Sequence, residues 1–482
     1  MPSDQKNKSY NSNSSRQGTN LKQAAAAQHA TSETAQNAAQ HATSRNTGKA
    51  TADKTRHMDK DEQMRVVDPI WPAMTSREIK AVTSASKVQV VQNSNRPMAA
   101  GSLADADGQR VFLKRYDPTL VPTKTLKAVH KAVNQAIGNG LRAPRFLPFP
   151  NGETIAFEGP WVYEMCQAAR GEDRYRNQPS WSPPFTRADA REVGRTVARV
   201  RLAMETVGTP EPREIPQGPY QNRFTLMLAQ DLPEAVDKFL EARPEVAQYL
   251  AHTGRDLLAD LAPLEPLRQQ ARAVAGESLR WTHGDLHVSN TFWDGHRVSD
   301  VIDFGLAYLN PPIFDLALAL ERHAIDWISI TEGARSSTDA DTGTETISST
   351  DADAITEADG NTDATTRSSD ASKTKESDAH AGPDTPTPGV RFRPQVAKDI
   401  LAGYSELLAL SSSEKRALGP MIALSHIEFS LDMIRYAAYA PAATAGLADW
   451  AYDFSLLGHS RWFLTGEGHQ FLSMINTFCK EL

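Results

Sequence analysis

Apolar and polar residues alternate with two different periods along this chain. Residues 87–91 and 110–116 alternate as strands do, and DADG at 105–108 predicts a hairpin turn between strands. Residues 126–140 have helical spacing and stop at a pair of glycines, and two more strands follow before residue 166. The pattern predicts a small antiparallel α+β lobe over residues 67–166, with a polar turn at 93–98.

Helical spacing dominates from residue 186 onward. The strand signals in this half are confined to a short β-element at 278–305. We therefore predict a mainly helical lobe over residues 167–482 that carries this one β-element. The segments with apolar residues at helical spacing are 186–208, 221–232, 233–275, 394–410 and 414–440.

Two segments have a composition that cannot form a core. Residues 1–66 are mostly Gln, Ala, Ser, Thr, Asn and Lys, which predicts a disordered tail. Residues 331–389 predict a disordered acidic insert, with 13 Asp and Glu against 4 Lys and Arg. The chain has a net charge of −7, so the residues outside the insert sum to about +2. The acidity therefore belongs to the insert.

The composition of the remaining residues predicts an intracellular protein. Two cysteines exclude a disulfide framework, and the N-terminus lacks the apolar segment of a secretory signal. Charged residues interrupt the most apolar helical stretch, so no membrane span is expected. We predict a cytoplasmic protein without nucleic-acid or membrane partners, and the sequence leaves its oligomeric state open.

The stretch THGDLHVSNTFWDGHRVSDVIDFG, residues 282–305, holds the main candidates for chemistry. His283, Asp285 and His287 alternate, so a strand would put all three on one face, where they could bind zinc. A catalytic zinc site needs three protein ligands and a water, and the sequence offers no second convincing group of ligands. A plainer alternative is three polar residues on a solvated strand end.

A third interpretation, kinase-type phosphoryl transfer, accounts for more of these residues. In such enzymes an Asp orients the attacking hydroxyl, an Asn five residues later binds Mg²⁺, and the Asp of Asp-Phe-Gly bridges Mg²⁺ to the phosphates. Here Asn290 follows Asp285 by five positions, Asp303 begins Asp-Phe-Gly, and Lys114 lies on an upstream strand. This order favours the phosphoryl-transfer interpretation.

HGDLHVSN followed by VIDFGLAYLNPPIFDLALAL resembles the aminoglycoside phosphotransferase, choline kinase and homoserine kinase superfamily. The likeness covers about 75–330 and 390–465, and the run at 400–436 is most similar to homoserine-kinase-type members. It implies an α+β, bilobal protein-kinase-like fold, with a small antiparallel β-sheet N-lobe and a mainly helical C-lobe. It also implies ATP and Mg as cofactors and a small-molecule alcohol as acceptor.

The resemblance assigns a role to each candidate residue. Asp285 would be the catalytic base, His287 would face the γ-phosphate, and Lys114 would clamp the α- and β-phosphates. Asn290 and Asp303 would be the Mg²⁺ ligands. The phosphate-covering segment and the adenine hinge would come from Asn93, Ser94, Asn95, Glu164, Met165 and Cys166.

Two further residues would have structural roles under the same resemblance. Asp315, in a Pro-x-x-Asp-Leu-Ala segment, would hydrogen-bond the backbone of the catalytic loop. His283 would anchor that loop without reacting. The acceptor alcohol is too weak an acid to ionise at neutral pH, so a carboxylate in the position of Asp285 is what the chemistry requires.

One expected carboxylate is missing. Kinases pair the strand lysine with a Glu on the following helix, but Asp117 is the sole acidic residue between 115 and 151. Polar residues on this helix could replace the Glu or could simply be solvated: they are His130, Asn134 and Gln135. The absence keeps open a second hypothesis, a pseudokinase that binds nucleotide without catalysis.

The acceptor is expected to be small. Only LAYLNP separates Gly305 from Pro312, which leaves no room for the segment that carries a peptide substrate in protein kinases. A protein Ser/Thr kinase of the same superfamily remains an alternative, and the small molecule could be an amino acid, amino alcohol or aminoglycoside. Acceptor-site candidates are His426, Glu428, Asp432, Arg435, Tyr436, Trp450 and Tyr452. A surface salt-bridge ladder explains Glu428, Asp432 and Arg435, which share one helix face, at least as well.

Overall fold

The structure is a computed structural model, and it describes residues 71–96, 99–178, 181–211, 214, 216, 218, 221, 224–327, 391–439 and 446–482. The described residues all belong to one compact unit. The predicted disordered tail at 1–66 and the predicted insert at 331–389 lie outside them. No helix in the described part of the chain is long and apolar enough to cross a membrane.

The N-terminal lobe is a five-stranded antiparallel sheet in the order β1-β2-β3-β5-β4, with two helices. This confirms the α+β class predicted for the lobe. Its elements are α1 (Ser76–Thr83), β1 (Val88–Arg96), β2 (Ala99–Ala106), β3 (Gln109–Tyr116), α2 (Thr123–Gly138), β4 (Ile155–Glu158) and β5 (Trp161–Gln167).

The two hairpins of this sheet differ in how well the sequence predicted them. The turn at DADG is confirmed, with Asp107 and Gly108 both at positive φ between β2 and β3. The polar turn expected over 93–98 is wrong for 93–96, since β1 runs on to Arg96. Backbone pairing to the small residues of β2 at 99–102 outweighs the weak strand preference of these polar side chains.

The alternation of side chains between the two faces of β3 determines the face on which Lys114 lies. Val111 and Leu113 point into an apolar cluster shared with Ile79 of α1. The side chain of Lys114 therefore lies on the opposite face of the sheet, because successive residues of a strand face opposite sides. That face borders the second lobe.

The C-terminal lobe is mainly helical, as predicted. Its longer helices are α3 (Arg187–Glu205), α4 (Leu232–Glu241), α5 (Pro244–Thr253), α8 (Phe314–Ala324), α9 (Pro394–Ser405), α10 (Ser412–Leu424), α11 (Ile427–Tyr439) and α14 (Gly466–Glu481). Its shorter helices are α6 (Leu257–Leu261), α7 (Glu265–Ala271), α12 (Leu447–Trp450) and α13 (His459–Trp462), with a π-helical turn at Ala451–Gly458.

Helices α3 and α9 pack backbone to backbone through two glycines. A side chain at Gly194 would overlap the carbonyl of Ile400, and one at Gly403 would overlap the backbone of Arg191. The helix predicted at 221–232 is wrong. In its described part the chain forms turns, because the N–H groups of Leu226 and Met227 donate to a side chain of α11 instead of to the preceding helical turn.

The short β-element lies at the junction with the N-terminal lobe. It comprises β6 (Arg280–Thr282), which pairs with β9 (Tyr308–Asn310), and the hairpin of β7 (Thr291–Asp294) with β8 (Arg297–Val301). The hairpin turn falls in WDGHR, and it brings the two halves of the stretch 282–305 together. The chain is also paired on either side of the predicted insert, where Ile325 bridges Phe392.

Candidate active site

One buried carboxylate holds the loop that begins at His283. Asp315, in the first turn of α8, accepts the N–H of His283 at 2.8 Å through Oδ2 and that of Gly284 at 3.0 Å through Oδ1. Gly284 has a φ of +83°, and a side chain there would overlap the carbonyl of Leu306. The predicted bracing role of Asp315 is confirmed.

His283 has no nitrogen left for a metal. Its Nε2–H donates to the carbonyl of Ile302 at 2.8 Å, and its Nδ1 accepts the N–H of Asp285 at 3.2 Å. Burial lowers the pKa of His283, so the ring is neutral, as this pattern requires. The anchoring role is therefore confirmed, and the zinc interpretation loses its first ligand.

Asp285 presents its two carboxylate oxygens to different neighbours. Oδ2 lies 3.4 Å from Nδ2 of Asn290 and 3.5 Å from Nε2 of His287. Oδ1 lies 3.6 Å from Nη2 of Arg322. The Asn290 amide also donates to the backbone carbonyl of Asp285 at 2.9 Å. The structure thus brings together three of the predicted residues, Asp285, His287 and Asn290.

Asp303 meets Lys114 across the two lobes. Lys114 Nζ lies 2.5 Å from Asp303 Oδ1, and the lysine is buried whereas the aspartate side chain is 32% exposed. Burial by itself lowers the pKa of Lys114, but the carboxylates of Asp303 and Glu164 outweigh it and raise the pKa overall. Asp303 has a φ of 63°, a left-handed conformation that is uncommon outside glycine and concentrates at functional sites.

Asn290 and Asp303 are joined by the hairpin between them. The N–H of Ile302, next to Asp303, donates to the carbonyl of Asn290 at 2.9 Å. This bond closes the open end of the β7–β8 hairpin and fixes the two predicted metal ligands beside each other. The hairpin therefore serves to bring the Asn and the Asp-Phe-Gly motif to one place.

Glu164, on the sheet, supplies a carboxylate near Lys114 in place of the missing helix glutamate. Glu164 on β5 is the cross-strand partner of Lys114, and its charge contributes to the raised pKa of that lysine. Glu164 Oε1 accepts the hydroxyl of Tyr116 at 3.0 Å, and Oε2 lies 2.8 Å from His130 Nε2. His130 is buried on α2, so its interpretation as a solvated residue is wrong. The sequence predicted Glu164 as a hinge residue and not as the partner of Lys114, because that contact runs across the sheet and not along the helix.

The other two helix candidates do not reach Lys114. The side chain of Asn134 exchanges two hydrogen bonds with the backbone of Phe146, each 2.9 Å long. Gln135 is exposed. The helix therefore contributes to the lysine site through His130, which holds the carboxylate of Glu164.

The residues expected to form the adenine hinge lie inside β5. Strand partners flank each of them on both sides, so their backbone groups face other strands. The pairs are Glu164 with Lys114 and Ile155, Met165 with Leu113 and Leu147, and Cys166 with Phe112 and Phe146. The side chains of Glu164 and Cys166 instead share the face of Lys114, and burial raises the pKa of the Cys166 thiol to about 12.

The residues expected to cover the phosphates lie in β1. Asn93 pairs with Ser102 and Ser94 with Gly101, toward the end of the hairpin where β1 leads into β2. Asn95 pairs through its backbone with Ala100, and its side chain is outside the described residues. Position 101 favours glycine, because a side chain there would press on the ring of Phe112.

Two residues of α8 that sequence reasoning missed also contact the loop. Arg322 lies beside Asp285, and Nε2 of His323 accepts the N–H of Val288 at 3.3 Å. Burial lowers the pKa of His323 to about 3, so the ring is neutral. The signal was present in the spacing, since positions 315, 322 and 323 fall on one helical face.

Three acceptor-site candidates, on α11 or just before it, have partners within the C-terminal lobe. Glu428 accepts the N–H of Leu226 at 2.6 Å, and Asp432 lies 3.1 Å from Arg243. Both carboxylates are buried, so the interpretation as a surface salt-bridge ladder is wrong. His426 lies 3.2 Å from Glu321.

The remaining candidates also have local partners. Arg435 lies over the ring of Tyr439, Tyr436 is buried, and Trp450 stacks on Phe454. Tyr452 donates to Asp260 at 2.7 Å. The acceptor-site role of these seven residues stays a prediction.

The fold has two lobes, and a strand lysine meets the Asp of Asp-Phe-Gly beside an Asp and an Asn on one braced loop. This combination defines a kinase-type phosphotransferase. The sequence agrees with this class. Residues 101–345, just over half of the 482-residue chain, match the family described as "Phosphotransferase enzyme family". The chain belongs to this family and is a phosphotransferase with an alcohol group as acceptor. The closer likeness to homoserine-kinase-type members stays a prediction.

Several solved structures are similar to the chain. An aminoglycoside phosphotransferase from Alicyclobacillus acidocaldarius subsp. acidocaldarius is 15% identical, with 86% of this chain and 98% of that one covered and a TM-score of 0.43. An amicoumacin kinase is 12% identical, with 79% of this chain and 93% of that one covered and a TM-score of 0.45. A microcompartment-associated aminopropanol kinase is 10% identical, with 81% of this chain and 97% of that one covered and a TM-score of 0.44. These TM-scores are too low to add to the family assignment. No curated protein sequence matches the chain.

Proposed function

We propose that this phosphotransferase uses ATP and Mg²⁺ to transfer the γ-phosphate to a hydroxyl of a small molecule. The observation that carries the proposal is that Lys114, from a distant strand, meets Asp303, while Asp285 and Asn290 lie on the loop joined to Asp303 by one hairpin. Each has the chemistry that its position in phosphoryl transfer requires.

The donor set fits a magnesium nucleotide. Mg²⁺ prefers oxygen ligands, which the carboxylate of Asp303 and the side-chain carbonyl of Asn290 can provide. Lys114 is charged and buried, and its partner Asp303 is partly exposed. The bound ion would neutralise charge on the phosphates, and Asn290 and Asp303 would hold it.

The side chains of this protein would then divide the remaining work. Asp285 would accept the proton of the acceptor hydroxyl, as a general base within hydrogen-bond reach. Lys114 would bind the α- and β-phosphates, with Glu164 maintaining its charge and direction. His287 would face the γ-phosphate, in agreement with its buried Nδ1 atom, which has no hydrogen-bond partner among the described residues. The adenine would meet the chain after Gln167, where β5 ends.

A small acceptor is favoured over a protein substrate. After Gly305 the chain enters β9 at Tyr308 and pairs with β6, and α8 begins at Phe314. This segment is largely buried and offers no platform for a peptide. The acceptor is of the amino acid, amino alcohol or aminoglycoside type.

A nucleotide-binding pseudokinase is the second candidate. The observation in its favour is that α2 presents no carboxylate to Lys114. Glu164 supplies one from the neighbouring strand, so we favour the active enzyme.

Mg-ATP consumption against a panel of amino acids, amino alcohols and aminoglycosides tests the proposal. Asp303→Ala is expected to abolish turnover while the protein stays folded, and Asp285→Asn to lower it by about 10²- to 10⁴-fold. Asp294→Ala, on the exposed end of the same hairpin, is the matched control and should leave turnover unchanged. Tight ATP binding without any acceptor-dependent turnover would favour the pseudokinase, and wild-type turnover in Asp303→Ala would refute the site.

A further inference from the structure

Helix α8 supports the catalytic loop at three successive points along one face. Asp315 binds the backbone at His283 and Gly284, and His323 binds the backbone at Val288. Arg322 lies between these contacts. It is the member of the set that approaches a reacting side chain and not the backbone.

Arg322 is a buried cation between two carboxylates. Its Nη2 lies 3.6 Å from Asp285 Oδ1, and its Nε lies 3.5 Å from Glu321 Oε2. The guanidinium also lies 5.6 Å from the ring centre of Trp181. A buried guanidinium is stable only with such compensation, because leaving it uncompensated is strongly unfavourable.

Glu321 in turn lies beside two histidines, His459 at the start of α13 and His426 just before α11. Its Oε1 lies 3.1 Å from His459 Nε2 and 3.2 Å from His426 Nε2. Burial raises the pKa of Glu321, but His426 and Arg322 outweigh burial and lower it well below its usual value, so the group is an anion. This anion lies beside Nε of Arg322, whereas Asp285 lies beside its Nη2.

The arrangement of Glu321, His426 and His459 does not suit a metal ion. The rings of His426 and His459 stack face to face, with centres 3.8 Å apart and planes 5° from parallel. One ion cannot lie in both ring planes, as imidazole coordination requires. The guanidinium of Arg322 also occupies the other side of Glu321. The cluster therefore acts as the anchor of Arg322.

We propose that Arg322 is a positioning residue for phosphoryl transfer: it holds Oδ1 of Asp285, so that Oδ2, beside Asn290 and His287, is presented to the acceptor hydroxyl. This inference rests on the proposed function. Rotation of the carboxylate would move Oδ2 away from the hydroxyl, and misplacement by about 1 Å can lower turnover by roughly 10²-fold.

A double-mutant cycle tests the proposal with two readouts. The variants are Arg322→Gln, Asp285→Asn and the double variant, each compared by thermal unfolding and by Mg-ATP turnover with the best acceptor of the panel. Arg322→Lys keeps the charge and guards against loss of folding. Arg243→Gln removes another buried arginine, paired with Asp432, and is the control.

The unfolding arm does not depend on activity. Arg322→Gln is expected to lower the melting temperature in the wild type and by less beside Asp285→Asn, because only its contact with Glu321 then remains to be lost. Arg243→Gln should lower it equally in both backgrounds. Equal losses for Arg322→Gln in both backgrounds would overturn the proposal.

The turnover arm tests positioning. Arg322→Gln is expected to lower kcat by roughly 10- to 100-fold, to leave the Kd of Mg-AMP-PNP nearly unchanged, and to add no loss beside Asp285→Asn. Arg322→Lys should recover part of the loss. An unchanged kcat, or equal losses in kcat and nucleotide affinity, would overturn the proposal. If the wild type turns over no acceptor, the proposed function fails, and the unfolding arm alone decides whether Arg322 holds Asp285.

Discussion

Glu428 on α11 is expected to make this protein less stable as the pH rises. The side chain is buried, and burial raises its pKa from 4.5 to about 8, although Leu226 and Arg243 act in the opposite direction and Asp432 adds to the rise. The folded pKa therefore exceeds the unfolded one. The contribution to stability is complete below pH 4.5 and is lost as pH rises through 8.

The size of the effect follows from these two values. Each pH unit between 4.5 and 8 is worth about 1.4 kcal/mol, so the full loss is about 5 kcal/mol at high pH. Between pH 6 and pH 9 the loss is about 2 to 3 kcal/mol. Glu428→Gln removes the titration and keeps an oxygen that can accept the N–H of Leu226.

Urea unfolding of the wild type and Glu428→Gln at pH 6 and pH 9 measures this difference. The variant is expected to gain about 2 to 3 kcal/mol relative to the wild type between the two pH values. Glu241→Gln, at an exposed position of α4, is the control and should show no such change. A difference between wild type and Glu428→Gln that is the same at both pH values would refute the argument.

Three further expectations concern the site and the insert. Asp315→Asn keeps one acceptor for two buried N–H groups, so it should destabilise the protein by about 1 to 3 kcal/mol in thermal unfolding and lower turnover; unchanged stability and turnover would exclude the bracing role. Glu164→Gln should raise the KM for ATP or lower kcat by roughly tenfold, because Lys114 loses a charged neighbour, whereas Gln135→Ala on the exposed face of α2 should change neither. Replacing residues 335–388 by a short linker should leave turnover nearly unchanged, because Arg393 and Asp326 already pair their backbones with Ala324 and Arg391 on either side of the insert; a large loss would show that the insert contributes to the site.

The motif residues could be predicted because their chemistry is local. Asp285 and Asn290 lie on one loop, and Asp303 follows across one hairpin, so their order along the chain already reflects their arrangement. The period of apolar residues likewise predicted the two lobes, since helices and strands differ in which neighbours share a face. The helix expected at 221–232 was wrong because a distant carboxylate, Glu428, binds its backbone N–H groups.

The partners of these residues could not be predicted in the same way. Glu164 was expected to offer backbone groups to adenine, but strand register places its side chain beside Lys114. His130 was a candidate on the right helix, yet its contact with Glu164 depends on how α2 packs against the sheet. Such contacts join segments of the chain for which no spacing rule exists.

The sequence by itself determined the class of reaction, since Lys114, Asp285, Asn290 and Asp303 carry the necessary functional groups in the necessary order. Tertiary structure alone decided what holds them. Glu164 supports the lysine and Arg322 lies beside the base, and each is the product of packing between elements far apart in the chain. Functional groups are set by residue type, whereas their charge state and direction are set by burial and by neighbours that only folding brings within reach.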